Sequence, residues 1–334
     1  MNFSARLRPS KLMVVPAIVL LVSTCSEGLN APNEGDGPGD PPQNLPSWSE
    51  GMFEEDFSVY GSVSGDPTTD FRNNVAGRWE DRGGRLSDGS SREEFFRENF
   101  FIRQDEIPGL GAVAVFETRQ ILPPGGTCKP GNGIGRNLKL PEPYPQEMWI
   151  EMWVKFSDNY STTFDEREYP GCTDTTGGHK FIFFERVNGS EQDVAKTWRW
   201  KVGTNWHEYR LRGAGITDYA SVSHGRLPSE CFNGEWQRWR FHVRGASAPG
   251  VPDGHAEWRR VALDDPERIL TNQCGPYGVG EPFHLIGAPP TDHHDGFDQL
   301  RIGSTMNEGP PAGYEQHWRL GPIRIYDRDP GWSW

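Results

Sequence analysis

The sequence predicts an all-β fold in which two antiparallel sheets pack into a sandwich. Glycine and proline are frequent, at 40 and 28 of 334 residues, and both interrupt helices. From about residue 53, short runs in which apolar and polar residues alternate follow one another, separated by turn signals. Thirteen Trp and eighteen Phe are enough to build a large core. These features are typical of many short strands joined by turns.

The first 25 residues resemble a bacterial export signal. Three basic residues precede the apolar run Leu12 to Val22, which is too short for a permanent membrane anchor. The run ends in Val-Ser-Thr-Cys, which resembles a lipobox that lipidates Cys25, although Thr24 departs from the small residue usual there. Ser26 then implies sorting to the outer membrane or cell surface. Ordinary cleavage nearby, giving a periplasmic or secreted protein, is the alternative.

Two further segments follow the signal. Residues 26–50 are rich in Gly, Pro, Asn and acidic residues, which predicts a flexible tether. Residues 51–334 form the predicted β-sandwich domain. If Cys25 is lipidated, the tether joins the lipid anchor to this domain, and the anchor is the only contact with the membrane.

The clearest strand is EMWIEMWVKF at 147–156. One parity of this run is apolar from Met148 to Phe156, which predicts a side on a core. Further strands are predicted at 179–185, 197–202, 205–212, 236–243, 255–262, 297–303 and 317–326. The strands 197–202 and 205–212 are expected to form a hairpin around Gly203-Thr204.

Four runs carry a resemblance to a known superfamily. WIEMWVKFSDNY, GGHKFIFFE, GEWQRWRFHVR and LGPIRIYDRDPGW look like strands of the concanavalin A-like lectin/glucanase superfamily, in particular its polysaccharide-lyase-like and laminin-G-like exported bacterial members. EEDFSVY at 54–60 matches the acidic-aromatic first strand of such proteins. The resemblance covers about residues 51–334. It implies a concanavalin A-like jelly-roll β-sandwich whose concave sheet holds a glycan.

The polar sides of three predicted strands are the candidate ligand surface. Aromatic rings stack on sugar faces, and arginine suits uronate or sulfate groups because its fork meets two oxygens at once. The alternative is an ordinary solvated outer side. The residues on these three polar sides are Trp149, Glu151, Trp153 and Lys155; Arg238, Arg240 and His242; and His255, Glu257 and Arg259.

Histidine supplies the candidate chemistry. Elimination on a uronate needs a base for the C5 proton, a neutraliser for the carboxylate and an acid for the leaving oxygen, roles that His, Tyr, Lys and Arg fill in related folds. The catalytic candidates are two pairs, His242 with Arg240 and His207 with Tyr209; His179 and His317 are further candidates for substrate contact. A single histidine is more often structural.

A hydrolase of the laminarinase type is not expected. That branch carries a strand motif of the form E-x-D-x-E or E-x-D-x-x-E, which this sequence lacks. Glu147 and Glu151 flank Trp149 on one strand, but no aspartate lies between them.

No cofactor is required by this chemistry, and a structural Ca²⁺ is the main metal candidate. By analogy with related sandwiches, Asp56 and Asp327 are placed to clamp Ca²⁺ between the first and last strands. A second stretch, TDHHDGFD at 291–298, has residue types that suit a transition metal. Neighbouring residues rarely all bind one ion, so this stretch is the weaker candidate.

Four cysteines remain beyond Cys25. An exported chain with four cysteines predicts two disulfides, with three pairings open. We favour Cys128–Cys172 and Cys231–Cys274 because each pair brackets a compact segment.

The net charge of −13 argues against a nucleic-acid partner, which needs a basic footprint. The leading hypothesis is a polysaccharide lyase that cleaves an acidic glycan by β-elimination. A non-catalytic glycan-binding lipoprotein and a structural envelope protein are the alternatives. The acidic chain opposes a polyanionic substrate, but a local basic surface at Arg238, Arg240 and Arg259 would overcome that objection.

Overall fold

A computed structural model gives the architecture of the chain over the residues that it describes. The residues that the structure describes are 47–81, 99–121, 136–161, 180–185, 199–204, 208–214, 227–228, 231–245, 247–248, 251, 253–270, 284–286, 296–305 and 314–332.

Fifteen strands and two short helices lie in the described ranges. In chain order they are β1 (Met52–Glu55), α1 (Ser58–Gly61), α2 (Pro67–Arg72), β2 (Trp79–Asp81), β3 (Phe100–Ile107), β4 (Gly111–Ile121), β5 (Arg136–Lys139), β6 (Glu147–Phe156), β7 (Lys180–Glu185), β8 (Arg199–Thr204), β9 (Glu208–Ala214), β10 (Leu227–Pro228), β11 (Trp236–Arg244), β12 (His255–Val261), β13 (His284–Ile286), β14 (Gln299–Thr305) and β15 (Glu315–Tyr326). Neither helix has the length and apolarity needed to cross a membrane in this part of the chain.

The strands form two sheets in which every described pair is antiparallel. Sheet A has the order β13-β12-β11-β6-β15-β4-β3, and β1 also pairs with β15. Sheet B has the order β10-β9-β8-β7-β14-β5-β2. Many neighbours are distant in sequence, as expected of a jelly roll. The predicted all-β sandwich of two antiparallel sheets is confirmed.

Aromatic side chains join the two sheets. Phe184 of β7 lies 5.3 Å, between ring centroids, from Phe241 of β11, and Phe181 of β7 lies 4.8 Å from Trp318 of β15. Within sheet A, Trp239 and Trp258 meet edge to face at 4.8 Å. All of these side chains are fully buried. The many Trp and Phe of the composition are therefore largely core, where aromatic burial contributes most to folding.

Strand β6 shows how the alternation produces the sandwich. Its apolar parity, from Met148 to Phe156, is buried in the main core, as predicted, and its bounds are those read from the sequence. Because successive side chains of a strand point to opposite faces, the other parity lies on the side of sheet A away from sheet B. β6 is also central, between β11 and β15.

Two local predictions need correction. The strand expected over 54–60 ends at Glu55, and residues Ser58–Gly61 form the helical turn α1 instead. The predicted hairpin exists as β8 and β9, but Gly203 and Thr204 belong to β8 and pair with β9. The predicted turn residues Gly203 and Thr204 are therefore strand residues.

Candidate functional site

The outward side of sheet A, which faces away from sheet B, carries the predicted ligand groups, and we call it the polar face. Its members in the described strands include all of its charged residues together with histidine and aromatic residues: Glu54, Phe101, Arg103, Asp105, Glu117, Arg119, Glu147, Trp149, Glu151, Trp153, Lys155, Arg238, Arg240, His242, Arg244, His255, Glu257, Arg259, Glu315, His317, Arg319, Arg324 and Tyr326.

Strand register brings the three predicted polar sides together. Trp149, His242 and Glu257 lie opposite one another across β6, β11 and β12. Glu151, Arg240 and Arg259 form the next row in the same way. Directly opposite side chains of antiparallel strands are about 4.5–5.5 Å apart at Cβ, so each row is one contiguous set of groups.

Glu151 is the centre of the second row. Its Oε1 accepts from Arg238 Nε and from Arg240 Nε, both at 2.8 Å, and Arg324 Nη1 lies 3.8 Å from its Oε2. Arg240 also donates to the Pro266 carbonyl at 2.8 Å. Glu151 is only 2% exposed and Arg240 4%. The predicted catalytic partner Arg240 is therefore held inside the polar face by a buried carboxylate.

Trp153 is not a stacking platform for sugars. It is 2% exposed and packs with Ile107, Val115 and Trp236 in a second, smaller hydrophobic cluster. The guanidinium of Arg238 lies 5.1 Å from its ring centroid. Its predicted substrate contact is corrected to a packing role, because the end of β3 and the start of β11 cover it.

A second carboxylate centre, which sequence reasoning missed, lies at the β3–β4 side. Glu117 accepts from Arg103 Nε and Arg319 Nε, each at 2.7 Å, and from Arg119 Nε at 3.2 Å. Burial opposes ionisation of Glu117, but the hydrogen bonds from Arg319 and Arg103 outweigh it and lower its pKa. Asp105 accepts from Arg319 Nη1 at 2.7 Å. Strand β6 is recognised in the sequence by strict alternation of apolar and polar residues over ten positions. β3 and β4 lack such alternation, so the sequence does not indicate that their polar side chains share a face.

Arginines also gather around an aromatic ring beside this centre. The guanidinium groups of Arg72, Arg103 and Arg119 lie 5.2, 4.9 and 4.8 Å from the ring centroid of Phe101. Arg103 and Arg119 keep 37% and 35% of their side chains exposed. Cation–π contacts hold them on the surface while leaving donors toward solvent. This end of the polar face can bind an anion from outside.

His242 lies at the opposite end of the polar face, where β6 begins and β11 ends. Its Nε2 donates to Glu147 Oε1 at 2.7 Å, and its ring stacks on Trp149 at 4.6 Å. Burial lowers the pKa of His242, and this outweighs the opposing effect of Glu147. The ring of His255 lies 4.7 Å from that of His242. His255 Nε2 in turn lies 3.5 Å from Glu257 Oε1.

The second predicted catalytic pair is on the other sheet. Tyr209 belongs to β9 of sheet B, where it lies opposite Leu227 of β10. His207 and His179 lie outside the described residues. Because β9 belongs to sheet B and β11 to sheet A, the strands of Tyr209 and His242 are in different sheets.

His317 and Lys155 lie on the polar face, as predicted, but away from His242. His317 is opposite Arg119, and its backbone N–H donates to Ser157 Oγ at 3.2 Å. Burial lowers the pKa of His317. Lys155 Nζ lies 3.6 Å from Asp105 Oδ2. These two residues therefore belong with the Glu117 end of the face.

The predicted calcium pair is not brought together. In the β1–β15 pairing, Glu55 lies opposite Ile323, and Asp56 directly follows Glu55 in the chain. Asp327 lies at the other end of β1, where its backbone N–H donates to the carbonyl of Gly51, the residue before β1. The two carboxylates therefore lie at opposite ends of β1, five positions apart or about 16 Å at about 3.3 Å per residue. They cannot share one ion. Asp56 instead accepts from Ser58 N–H at 3.1 Å, in a local turn.

Most of the cysteine predictions lie outside the described residues. Cys25, Cys128, Cys172 and Cys274 are among the residues that the structure does not describe. Cys231 is described and buried, at 1% exposure. The lipidation and the two pairings stay predictions, and so does the transition-metal site at 291–298, most of which is also undescribed.

The charge balance of the polar face differs from that of the chain. Among its described members there are nine arginine or lysine side chains and seven carboxylates, in a chain with a formal charge of −13. An excess of cations in one place raises the local concentration of anionic ligands. The polar face is thus a basic surface on an acidic protein.

Comparison with known proteins adds little to this geometry. No protein-family model matches the chain, and no curated protein matches it in sequence. Among solved structures, the CBM2 module of Lactobacillus casei BL23 phage J-1 evolved Dit is 10% identical, with 63% of this chain and 77% of that chain covered and a TM-score of 0.34. The cellulose induced protein Cip1 is 11% identical, with 69% of this chain and 87% of Cip1 covered and a TM-score of 0.35. Alginate lyase vAL-1 from Chlorella virus is 8% identical, with 67% of this chain and 89% of vAL-1 covered and a TM-score of 0.36. Similarities this weak carry no argument about function.

Proposed function

We propose that the protein binds an acidic polysaccharide on the polar face of sheet A. The observation that supports this proposal is the excess of nine cations over seven carboxylates on that face of a chain with a charge of −13. An acidic protein with one basic surface attracts a polyanion at that surface and repels it elsewhere. Uronate and sulfate groups match the planar fork of arginine.

The outer arginines are the proposed contacts. Arg103 and Arg119 are about one-third exposed, and Arg244 is 47% exposed at the other end. Arg238 and Arg240 face the buried Glu151 and hold the sheet together instead. We therefore assign the outer arginines to ligand binding and the inner arginines to the fold.

Cleavage by β-elimination is the second candidate, and one observation favours it. His242 donates from Nε2 to Glu147 at 2.7 Å and stacks on Trp149, so Nδ1 is the basic nitrogen that could accept a proton from a sugar. Arg240, which the elimination hypothesis needs as the neutraliser of the uronate, already donates to Glu151 and Pro266. For that reason we place binding ahead of cleavage.

The experiment is a panel of polysaccharides assayed in two ways on the same samples. Gel retardation measures binding, and ultraviolet absorbance of the unsaturated uronate measures elimination. Alginate, glucuronan, pectate and a heparin-like chain are compared with neutral glucans. We expect retardation by at least one acidic chain and none by the neutral glucans. Equal retardation by both classes, or none by any acidic chain, contradicts the proposal.

Variants locate the site and separate the two candidates. The double variant Arg103→Ala/Arg119→Ala is expected to weaken retardation, whereas Lys139→Ala, an exposed cation on β5 of sheet B, is expected to leave it unchanged. Rising absorbance that His242→Ala abolishes would establish elimination. Retardation without absorbance would leave a binding protein.

Localisation at the cell surface is part of the same proposal. The export signal and the lipobox-like Cys25 support it, because a surface anchor places a glycan-binding domain where polysaccharides are found. Labelling with a radioactive fatty acid tests the anchor. Incorporation that Cys25→Ser removes is expected, and equal labelling of both chains rejects lipidation at that residue.

A further inference from the structure

We infer that His242, His255 and Glu257 form a binding site for a transition metal, with zinc as the ion they suit best. The three side chains belong to β11 and β12 at the His242 end of the polar face. The sequence alone predicts metals elsewhere, at Asp56 with Asp327 and at 291–298. Strand pairing creates this site, because residues 242 and 257 lie opposite one another and 255 is two positions further along the same face.

The geometry fits a single ion. One ligand atom from each side chain lies within 4.8 Å of the other two, so a common point exists about 2.8 Å or less from all three. Zinc bonds to nitrogen and oxygen are about 2.0–2.2 Å long, so small rotations of the side chains would close the site. His255 Nε2 and Glu257 Oε1 are already 3.5 Å apart, close to the spacing of two ligands on one zinc ion.

A carboxylate outside the three proposed ligands orients the ring of His242. Glu147 Oε1 accepts from His242 Nε2 at 2.7 Å. A histidine that binds a metal through one ring nitrogen almost always donates its other N–H to a carboxylate or carbonyl. Glu147 therefore selects the tautomer that leaves Nδ1 with a lone pair for the ion. Trp149 packs flat on the same ring and fixes its plane.

The donor set selects the class of metal. Two imidazoles and one carboxylate suit zinc and neighbouring transition metals, whereas Ca²⁺ and Mg²⁺ prefer sites built of oxygen. Three protein ligands leave a fourth tetrahedral position open. If the proposed function holds, the carboxylate of an acidic sugar is the ligand that fits this position. The ion would then supply the positive charge that Arg240, bound to Glu151, does not offer.

Metal binding and proton abstraction by His242 exclude one another. An Nδ1 lone pair that coordinates an ion cannot accept a proton from a sugar. If the chain does carry out elimination with His242 as base, zinc is therefore expected to inhibit the reaction.

The test measures zinc binding by calorimetry on the full, untagged chain after treatment with a chelator, without glycan. We expect His255→Ala and Glu257→Gln each to lose one equivalent of zinc relative to the unmodified chain. Glu235→Gln, the same change on a carboxylate just before β11 and outside the site, is expected to keep it. Glu147→Gln is expected to weaken binding by roughly 10- to 100-fold. Circular dichroism shows whether each variant is folded.

A second readout reports the ligands directly. Cobalt(II) replaces zinc and gives visible absorption bands whose intensity reports four-coordinate geometry. We expect these bands in the unmodified chain and their loss in folded His255→Ala. Equal zinc stoichiometry in His255→Ala and Glu235→Gln, or no bands at all, would overturn the metal site. Because these measurements contain no glycan, their failure leaves the proposed function standing, and failure of the polysaccharide panel leaves the metal site standing.

Discussion

The indole of Trp149 lies flat against the imidazole of His242, with ring centroids 4.6 Å apart and planes inclined by 8°. The two residues are 93 positions apart in the chain and meet because β6 and β11 pair in a fixed register. The contact fixes the ring plane of His242, and the hydrogen bond to Glu147 fixes its rotation. Such a histidine is preorganised for one ligand direction.

This contact predicts an energetic coupling between the two side chains. In a double-mutant cycle with Trp149→Leu and His242→Ala, we expect a coupling of about 0.5–1.5 kcal/mol in the free energy of unfolding, the usual value of an aromatic pair. Urea unfolding of the four proteins measures it. The matched control cycle combines Trp149→Leu with Arg103→Ala on β3, and additive effects are expected there. Additive effects in the first cycle would show that the stacking contributes nothing.

Removing the buried carboxylate at the centre of the second row is expected to be costly. Glu151→Gln leaves Arg238 and Arg240 side by side without their counter-charge, so we expect a loss of about 3–5 kcal/mol in unfolding free energy. The control is Glu54→Gln, which removes the more exposed partner of Arg324 at 2.7 Å and should cost about 1 kcal/mol or less. Chemical denaturation compares them. Similar costs for both variants would mean that Glu151 is not the centre of the network.

The part of the structure that sequence predicts is the part that local patterning determines. The bounds of strand β6 are predicted correctly because one side of the strand packs on the core. That packing requires an apolar residue at every second position from Met148 to Phe156. The start of α2 is equally local, since Asp66 caps it and Pro67 occupies its first turn, yet alternation and periodicity do not predict so short a helix. Its capping residues are a signal that could have found it.

The electrostatic centres depend on contacts that no local pattern contains. Glu151 meets Arg238 and Arg240 across 87 and 89 residues, and Glu117 meets Arg319 across 202. Alternation predicts that these groups share a side of their strands. It does not show which arginines are neutralised internally, because that depends on register and on how deeply each carboxylate is buried. The same limit applies to Trp153, which residues from β3 and β11 cover.

The Glu117 centre predicts a loss of stability in acid. Burial raises the pKa of Glu117, but the hydrogen bonds from Arg319 and Arg103 lower it by more than burial raises it. The pKa of Glu117 in the folded chain therefore lies below its value in the unfolded chain. The ionised carboxylate therefore stabilises the fold above the unfolded pKa of about 4.3, and this contribution is lost as pH falls through the folded value. We expect Glu117→Gln to lower stability at neutral pH and to flatten the decline below about pH 5.

Thermal unfolding across a pH series measures this effect. Asp264→Asn removes the carboxylate of an exposed ion pair with Arg268, and its pH profile should follow that of the unmodified chain. If Glu117→Gln instead declines in acid as steeply as the unmodified chain, other carboxylates cause the acid sensitivity.

Gly296 is expected to resist substitution because both its backbone and its surroundings require glycine. Its φ is +86°, and a Cβ there would lie 2.8 Å from the Tyr144 carbonyl oxygen and 2.9 Å from that of Pro145. Gly65 has a φ of +79°, but a Cβ at that position would meet nothing within 4 Å. We expect Gly65→Ala to cost about 1–2 kcal/mol and Gly296→Ala clearly more, measured by urea unfolding. Equal costs would show that the Gly296 segment shifts freely.

Inner and outer arginines of the polar face are expected to respond in opposite ways. Arg240 is buried against Glu151, so Arg240→Ala should lower the free energy of unfolding by about 3–5 kcal/mol, since it leaves part of a buried charge unpaired. Arg103→Ala removes a side chain that is 37% exposed, so its effect on stability should be smaller and its effect on retardation by acidic polysaccharides larger. Surface charges act on a polyanion through screened attraction, and raising the salt concentration should remove the difference in retardation between Arg103→Ala and the unmodified chain. Retardation that depends on Arg240 in a folded variant, and not on Arg103, would reverse the assignment and place the ligand over Glu151.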